Sequence, residues 1–224
     1  LGEGDLDRVY TVKPEYAAVE GSSMYLKAGE TLSLRDTLYG LMLASGNDAA
    51  VAIAGECGGM TAFVGKMNAK AAELGLTDTH FDNPNGLPSD THYTTAHELA
   101  KITAAALKDP VFRQIVSTKS CTVSGHALSN HNRLLSMYDG AIGVKTGFTR
   151  AAGRCLVSAA ERNGRTIIAV TLNDPNDWND HMEMLDAGFA QYSEVTLHKA
   201  GDTIANVRVF GGDTASVPLA AKNT

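Results

Sequence analysis

At about residue 117 the hydrophobic period of this chain changes from that of helices to that of strands. A chain that segregates its elements in this order packs helices on an antiparallel sheet, because alternating strand-helix units are what a parallel sheet would need. Before the change, Leu34, Leu38, Leu41 and Met42 share one helical face behind the capping residue Ser33. A second apolar helix is expected from about Asp48 to Cys57, stopped by Gly58-Gly59, and a third from Thr61 to Leu74 ahead of Gly75. Two more are expected at about Thr95–Leu107 and Asp109–Val116. After the change, residues 118–125 alternate, and 152–160 and 165–172 are strand-like runs joined through Asn163-Gly164, a strong hairpin signal. These three runs are predicted to form the sheet, with a helix over Trp178–Tyr192 lying on it. The expected class is α/β in the broad sense, more narrowly α+β: an antiparallel sheet flanked by helices. Upstream, Val9–Ala18 reads as an extended segment with turn chemistry at Pro14-Glu15, and downstream Val195–Leu219 reads as strands punctuated by Gly201 and Gly211-Gly212.

Composition removes several function classes. A formal charge of −6, with no basic stripe, is unsuited to neutralising phosphates, so no nucleic-acid partner is expected. No apolar run approaches the roughly 20 residues that span a bilayer. Leu1-Gly2-Glu3-Gly4-Asp5 is acidic where a signal peptide would be basic and then apolar. Cys57, Cys121 and Cys155 are too widely spaced for a Cys-x-x-Cys site and are expected to be buried thiols without chemistry. His92, His97 and Glu98 cluster, but Lys101 stands where a zincin helix needs its second histidine, so neither a metal nor another cofactor is expected.

Two triplets carry the chemistry: Ser45-Gly46-Asn47 at the junction of two apolar helices, and Lys145-Thr146-Gly147 just ahead of the hairpin strands. Either alone reads as a helix cap or a surface turn. Together, in this order and on these elements, they match the arrangement of penicillin-binding proteins and β-lactamases. The chain resembles the low-molecular-mass serine D-alanyl-D-alanine carboxypeptidases within that superfamily. The likeness extends through Ser23-Met24-Tyr25-Leu26-Lys27-Ala28-Gly29-Glu30, Phe81-Asp82-Asn83-Pro84-Asn85-Gly86-Leu87, Asn132-Arg133-Leu134-Leu135 and Gly143-Val144-Lys145-Thr146-Gly147-Phe148-Thr149.

The resemblance implies a β-lactamase/transpeptidase-like fold, an extracytoplasmic and membrane-associated protein, and a peptidoglycan stem peptide ending in D-Ala-D-Ala as substrate, with acylation by β-lactam antibiotics. Acyl transfer through a serine needs a base, oxyanion donors and groups that hold the peptide in line. By the resemblance, Ser45 relays a proton, the Asn47 side-chain NH₂ holds a substrate carbonyl, and Lys145 supplies positive charge beside Ser45. Residues 145–149 form a strand edge for the extended peptide. Thr146 and Thr149 offer hydroxyls to its carboxylate, Gly147 lies between them, and the backbone N–H of Phe148 is an oxyanion donor.

The chain departs from the pattern in two places. The nucleophile and its lysine belong to a Ser-x-x-Lys motif, and no serine here is followed three residues later by lysine. The resemblance places that motif upstream of Leu1, so residues 1–192 are expected to be a catalytic domain whose N-terminal segment is a further partner, inactive without it. Residues 193–224 are expected to begin a C-terminal β-rich region. An arginine that some relatives place ahead of the C-terminal helix is replaced by Asp177-Trp178-Asn179-Asp180-His181, leaving the carboxylate to Lys145, Thr146 and Thr149. A class A β-lactamase is disfavoured because no Glu-x-x-Leu-Asn string is present. A non-catalytic peptidoglycan-binding module would have no chemical need for Ser45, Asn47, Lys145 and Thr146 together.

Overall fold

A computed structural model describes residues 5–192 and 195–222. The chain divides into two compact units, one reaching Phe189 and one starting at Ala190. The expected division at 192/193 falls beside residues 193 and 194, outside the described residues, as do residues 1–4 of the acidic start.

In the first unit a short strand β1 (Val9–Thr11) pairs antiparallel with β2 (Thr31–Ser33). Between them Pro14-Glu15, expected as a turn, starts a one-turn helix α1 (Pro14–Ala17); proline at N1 lacks only an N–H that the helix leaves unpaired anyway. Helix α2 (Leu34–Leu43) begins at Ser33, whose hydroxyl accepts the Asp36 N–H at 3.0 Å. Helix α3 (Asn47–Glu56) follows almost at once, then α4 (Met60–Glu73), α5 (Ala96–Ala106) and α6 (Pro110–Ser117). Each lies within a residue of the span its periodicity predicts. Leu32, Leu34, Leu43, Ala49 and Ala52 form the centre of this helical layer together with Tyr10, Val12 and Tyr16.

The loop between α4 and α5 is anchored by Glu98, at the third position of α5. Its carboxylate accepts from Thr77 N (2.9 Å), Asp78 N (3.1 Å) and the Thr79 hydroxyl (2.5 Å). The Thr79 hydroxyl, followed by the two backbone donors, holds this carboxyl below its usual pKa. Glu98 is thereby a loop anchor, and His97 beside it is exposed.

The sheet differs from the expected one. Residues 118–125 do not join it: Ser120–Val123 (β3) folds back on His126–Ser129 (β4) as a separate hairpin. Ser124 and Gly125, at φ +45° and +81°, form its turn, so the alternating run ends in a reversal that the alternation does not reveal. After the single turn α7 (Leu134–Met137), the main sheet is built from β5 (Ala141–Thr149), β6 (Gly153–Arg162) and β7 (Arg165–Thr171), in that order and all antiparallel. Asn163 and Gly164, at φ +53° and +78°, close the β6–β7 turn, with Arg162 opposite Arg165. The period of two sends β6 side chains to two different layers. Leu156 and Ala160 pack with Leu134, Tyr138 and Leu185 of α8 (Asp177–Gln191), while Ala159 packs with Val116 and Val144 against α6. The three cysteines are free and only half-buried, less covered than expected.

The second unit holds an antiparallel hairpin of β8 (Thr203–Arg208) and β9 (Ser216–Ala220), with Val207 opposite Val217.

Candidate active site

Helix α2 stops because Ala44 is followed by Ser45 at φ +58°, a left-handed conformation in which a glycine is usual and a serine is strained. Strain of this kind persists only when the surroundings over-determine it. Here they do. Gly46, with φ −64° and ψ 113°, turns the chain into α3, and a Cβ on it would lie 2.7 Å from Asp48 Oδ1 and 3.1 Å from Met24 N. The Asn47 N–H donates to Ser22 O at 2.7 Å.

Asp48, which the motif reading passed over, is the centre of this lacing. Its buried carboxylate accepts from the Ser23 hydroxyl (2.6 Å), Met24 N (3.1 Å), Leu26 N (3.0 Å) and its own neighbour Ala49 N (2.9 Å). A carboxylate in the first turn of a helix is also favoured by the helix dipole. The signal was available: an acidic residue directly after Ser-Gly-Asn at a helix start needs donors, and the Ser22–Leu26 segment is where they come from.

From the other side, β5 is the terminal strand of its sheet and presents Lys145. The Lys145 ammonium donates to Ser45 Oγ at 2.8 Å and to Thr146 O at 2.7 Å. Burial lowers the Lys145 pKa to about 8, so the lysine is mostly protonated at neutral pH yet loses its proton far more readily than an exposed lysine.

The other expected residues stand as follows. Asn47 is buried, 8% exposed, and one N–H of its side-chain amide donates to Glu20 O at 2.7 Å, leaving the second N–H of that nitrogen for a ligand. Register places Thr146 opposite Leu156, Gly147 opposite Cys155, Phe148 opposite Arg154 and Thr149 opposite Gly153. Lys145, Gly147 and Thr149 therefore share one face of β5, and a Cβ at Gly147 would meet nothing closer than Cys155 at 3.8 Å, so that face is open. Phe148 is 70% exposed. Thr149 Oγ1 accepts the Ala152 N–H at 2.9 Å and keeps its own O–H to donate. At the start of α8, Arg154 reaches Asp177 with both distances at 2.8 Å and lies over the Trp178 ring, which ties that guanidinium into the structure.

Residues 5–176 match the D-alanyl-D-alanine carboxypeptidase family of peptidases, S11. This chain belongs to that family. Among its family relatives, the D-alanyl-D-alanine carboxypeptidase DacF of Bacillus subtilis is 37% identical over 212 residues, covering 91% of this chain and 54% of that protein. The D-alanyl-D-alanine carboxypeptidase of Streptomyces strain K15 is 38% identical over 210 residues, covering 83% of this chain and 72% of that protein. The chain thus spans about half the length of the Bacillus protein. Among solved structures, a D-alanyl-D-alanine carboxypeptidase from Mycobacterium tuberculosis superposes with a TM-score of 0.81 at 37% identity, covering 87% of this chain and 78% of that one. The Streptomyces K15 DD-transpeptidase does so with a TM-score of 0.78 at 37% identity, covering 85% and 82%. The fold of this family member is therefore that of penicillin-binding proteins and DD-transpeptidases.

The spacing of the Ser-x-x-Lys motif occurs here with threonine in place of serine. Thr196 precedes Lys199 by three residues, but both are exposed and lie outside any helix, where the chemistry has no use for them.

Proposed function

We propose that this chain supplies the proton-relay and carboxylate-binding part of a serine D-alanyl-D-alanine carboxypeptidase site, acting on peptidoglycan stem peptides and open to acylation by β-lactams. The observation that carries the reading is the 2.8 Å contact between Lys145 Nζ and Ser45 Oγ. It places a hydroxyl that can pass a proton next to a half-buried cation, at the edge of a strand able to bind an extended peptide through its main chain.

In the proposed reaction a serine hydroxyl attacks the carbonyl of the penultimate D-alanine and gives up its proton to a base. The C–N bond then breaks as Ser45 delivers its proton to the leaving amine of the terminal D-alanine and takes in return the proton that the base removed from the attacking serine. Lys145 keeps the Ser45 hydroxyl oriented, and Asn47, Thr146 and Thr149 hold the peptide. Water then hydrolyses the acyl-enzyme. No serine of this chain stands in a Ser-x-x-Lys motif, so the attacking serine is proposed to come from a part of the protein beyond these residues. Work on peptidoglycan puts the protein outside the cytoplasm. Among the described residues no helix is long and apolar enough to cross a membrane, so the proposed membrane association would need another anchor.

The test compares the full-length protein with this 224-residue chain. The full-length protein should release D-alanine from a pentapeptide ending in D-Ala-D-Ala and gain one fluorescent penicillin in its intact mass, and the 224-residue chain should do neither. A full-length protein inert in both assays would refute the carboxypeptidase reading. A stoichiometric adduct on the 224-residue chain would refute the placement of the nucleophile, and peptide mapping would name the serine.

A further inference from the structure

The segment that laces the Ser45 turn carries an outward aromatic ring. Met24 and Leu26 are buried and donate their N–H groups to Asp48, but Tyr25 between them is 78% exposed. Its backbone stands at φ +66°, a left-handed conformation that is an outlier for a bulky side chain. The Ser23 hydroxyl holds it there, accepting the Tyr25 N–H at 2.8 Å and donating to Asp48 Oδ2 at 2.6 Å. Enforced strain of this kind gathers at functional sites, and the group that enforces it here is the carboxylate next to Asn47. The Tyr25 phenol has no hydrogen bond among the described residues.

Tyr25 lines a cleft of about 420 Å³ together with Lys27, Glu30, Ser124, Gly125 and His126, a volume in the range of small-ligand sites. His126 joins the two walls: its Nδ1 lies 3.0 Å from Met24 O and its Nε2 3.1 Å from Glu30 Oε2. Glu30 also accepts the Lys27 N–H at 2.6 Å, so its carboxylate is occupied within the wall. The Lys27 ammonium has no partner among the described residues, and Ser124 donates its hydroxyl to Asp36 Oδ2 and keeps a lone pair for a ligand donor. An exposed aromatic face beside a free cation and a free acceptor suits a sugar, which is apolar on its C–H face and polar at its rim. Ser124 also fixes a distance. Asp36 lies nine residues before Ser45 near the start of α2, which at about 1.5 Å per residue puts this rim roughly 13 Å from the Ser45 turn. A stem pentapeptide hangs from its sugar by its N-terminus, and the four residues between sugar and scissile bond extend about 13–14 Å. A peptide held at Ser45 and Lys145 therefore has the reach to set its sugar in the cleft.

We propose that the cleft between Tyr25 and the β3–β4 turn is a glycan subsite: the Tyr25 ring stacks on the N-acetylated sugar that carries the stem peptide, and the Lys27 ammonium donates to an oxygen at its rim. The proposal rests on the carboxypeptidase reading above and extends the recognised substrate from the peptide to its sugar.

The experiment uses the full-length enzyme and two substrates: a free pentapeptide ending in D-Ala-D-Ala, and the same pentapeptide joined to its N-acetylglucosaminyl-N-acetylmuramyl disaccharide. The wild-type enzyme should show the lower KM on the disaccharide substrate. Tyr25→Ala should raise that KM about tenfold, the size expected for losing one aromatic stacking contact, with kcat unchanged and the free pentapeptide unaffected. Tyr25→Trp should keep the wild-type KM. Lys27→Ala, a change at an exposed side chain, should show the same selectivity with a loss of about threefold, and it keeps the proposal testable if the Tyr25 variants unfold. An equal loss on both substrates would mean that Tyr25 only shapes the Ser45 turn. No loss on the disaccharide substrate, or a wild-type enzyme with the same KM on both, would mean that the cleft does not touch the glycan. Each of these results overturns the proposal. A wild-type enzyme that releases D-alanine from neither substrate overturns the carboxypeptidase reading itself, a result separate from any behaviour of the variants.

Discussion

Lys145 and Ser45, 100 residues apart in sequence, meet at 2.8 Å where the edge strand of the sheet crosses the break between two helices. Neither element holds its partner by local means. If the contact serves proton relay, then Lys145→Ala or Ser45→Ala in the full-length protein should slow penicillin acylation by on the order of 10²-fold or more. Stopped-flow labelling reads this directly, and a variant that labels at nearly the normal rate would take its residue out of the mechanism.

Asp48 makes a prediction about stability as well as rate. Alanine there would strand the Ser23 hydroxyl and the Met24, Leu26 and Ala49 N–H groups, all of which the carboxylate now satisfies. Leaving buried donors unpaired costs about 1–3 kcal/mol each before relaxation and water entry, so Asp48→Ala should lose about 3 kcal/mol or more. Urea unfolding should show a lower midpoint with an unchanged slope. A loss below about 1 kcal/mol would mean that water replaces the carboxylate and that the lacing does not hold the Ser45 turn.

Gly46 tests the same turn sterically. Its backbone angles suit any residue, so the cost of Gly46→Ala comes only from the crowding of a new Cβ against Asp48 Oδ1 and Met24 N. About 1–3 kcal/mol of destabilisation is expected, the range for overpacking in a close-packed interior. Unchanged thermal stability would show that the Met24 segment can move aside.

His181 sets an acid limit. It is fully buried between sheet and helix, with Nδ1 2.6 Å from Ser158 Oγ and Nε2 3.0 Å from Thr171 Oγ1, and burial lowers its pKa to about 4. Its folded pKa lies below its unfolded value of about 6.5, so the unfolded chain binds the proton more tightly. Stability should accordingly fall as pH drops from about 6.5 towards 4, and this contribution should be flat above 6.5. A His181→Gln variant should lose most of that slope in denaturation curves between pH 4 and 7. If the variant keeps the wild-type slope, other groups set the acid sensitivity.

Much of this architecture was legible before any coordinate. Helix spans follow from the apolar stripe and from the cap Ser33, and the β6–β7 hairpin follows from Asn163-Gly164, because each depends on residues a few positions apart. The three-stranded sheet was only partly legible. Alternation marks residues 118–125 as extended but says nothing of their partner, and Ser124-Gly125 turns them back on His126–Ser129 while Ala141–Thr149 takes the sheet edge.

The candidate site divides in the same way. Residue types and order alone marked Ser45, Asn47, Lys145 and Thr146 as belonging to one chemistry. That Asp48 binds the Met24 segment, that an Asn47 N–H is taken by Glu20 O, and that the His131 N–H is held by Leu43 O are matters of tertiary structure. The reason is physical: a cap or a turn is closed by neighbours within one chain reversal, whereas these contacts join segments 22 or more residues apart in the case of Leu26 and Asp48, and 100 in the case of Ser45 and Lys145. Such pairs have no local energy of their own, and they exist only after the hydrophobic layers have brought their backbones together.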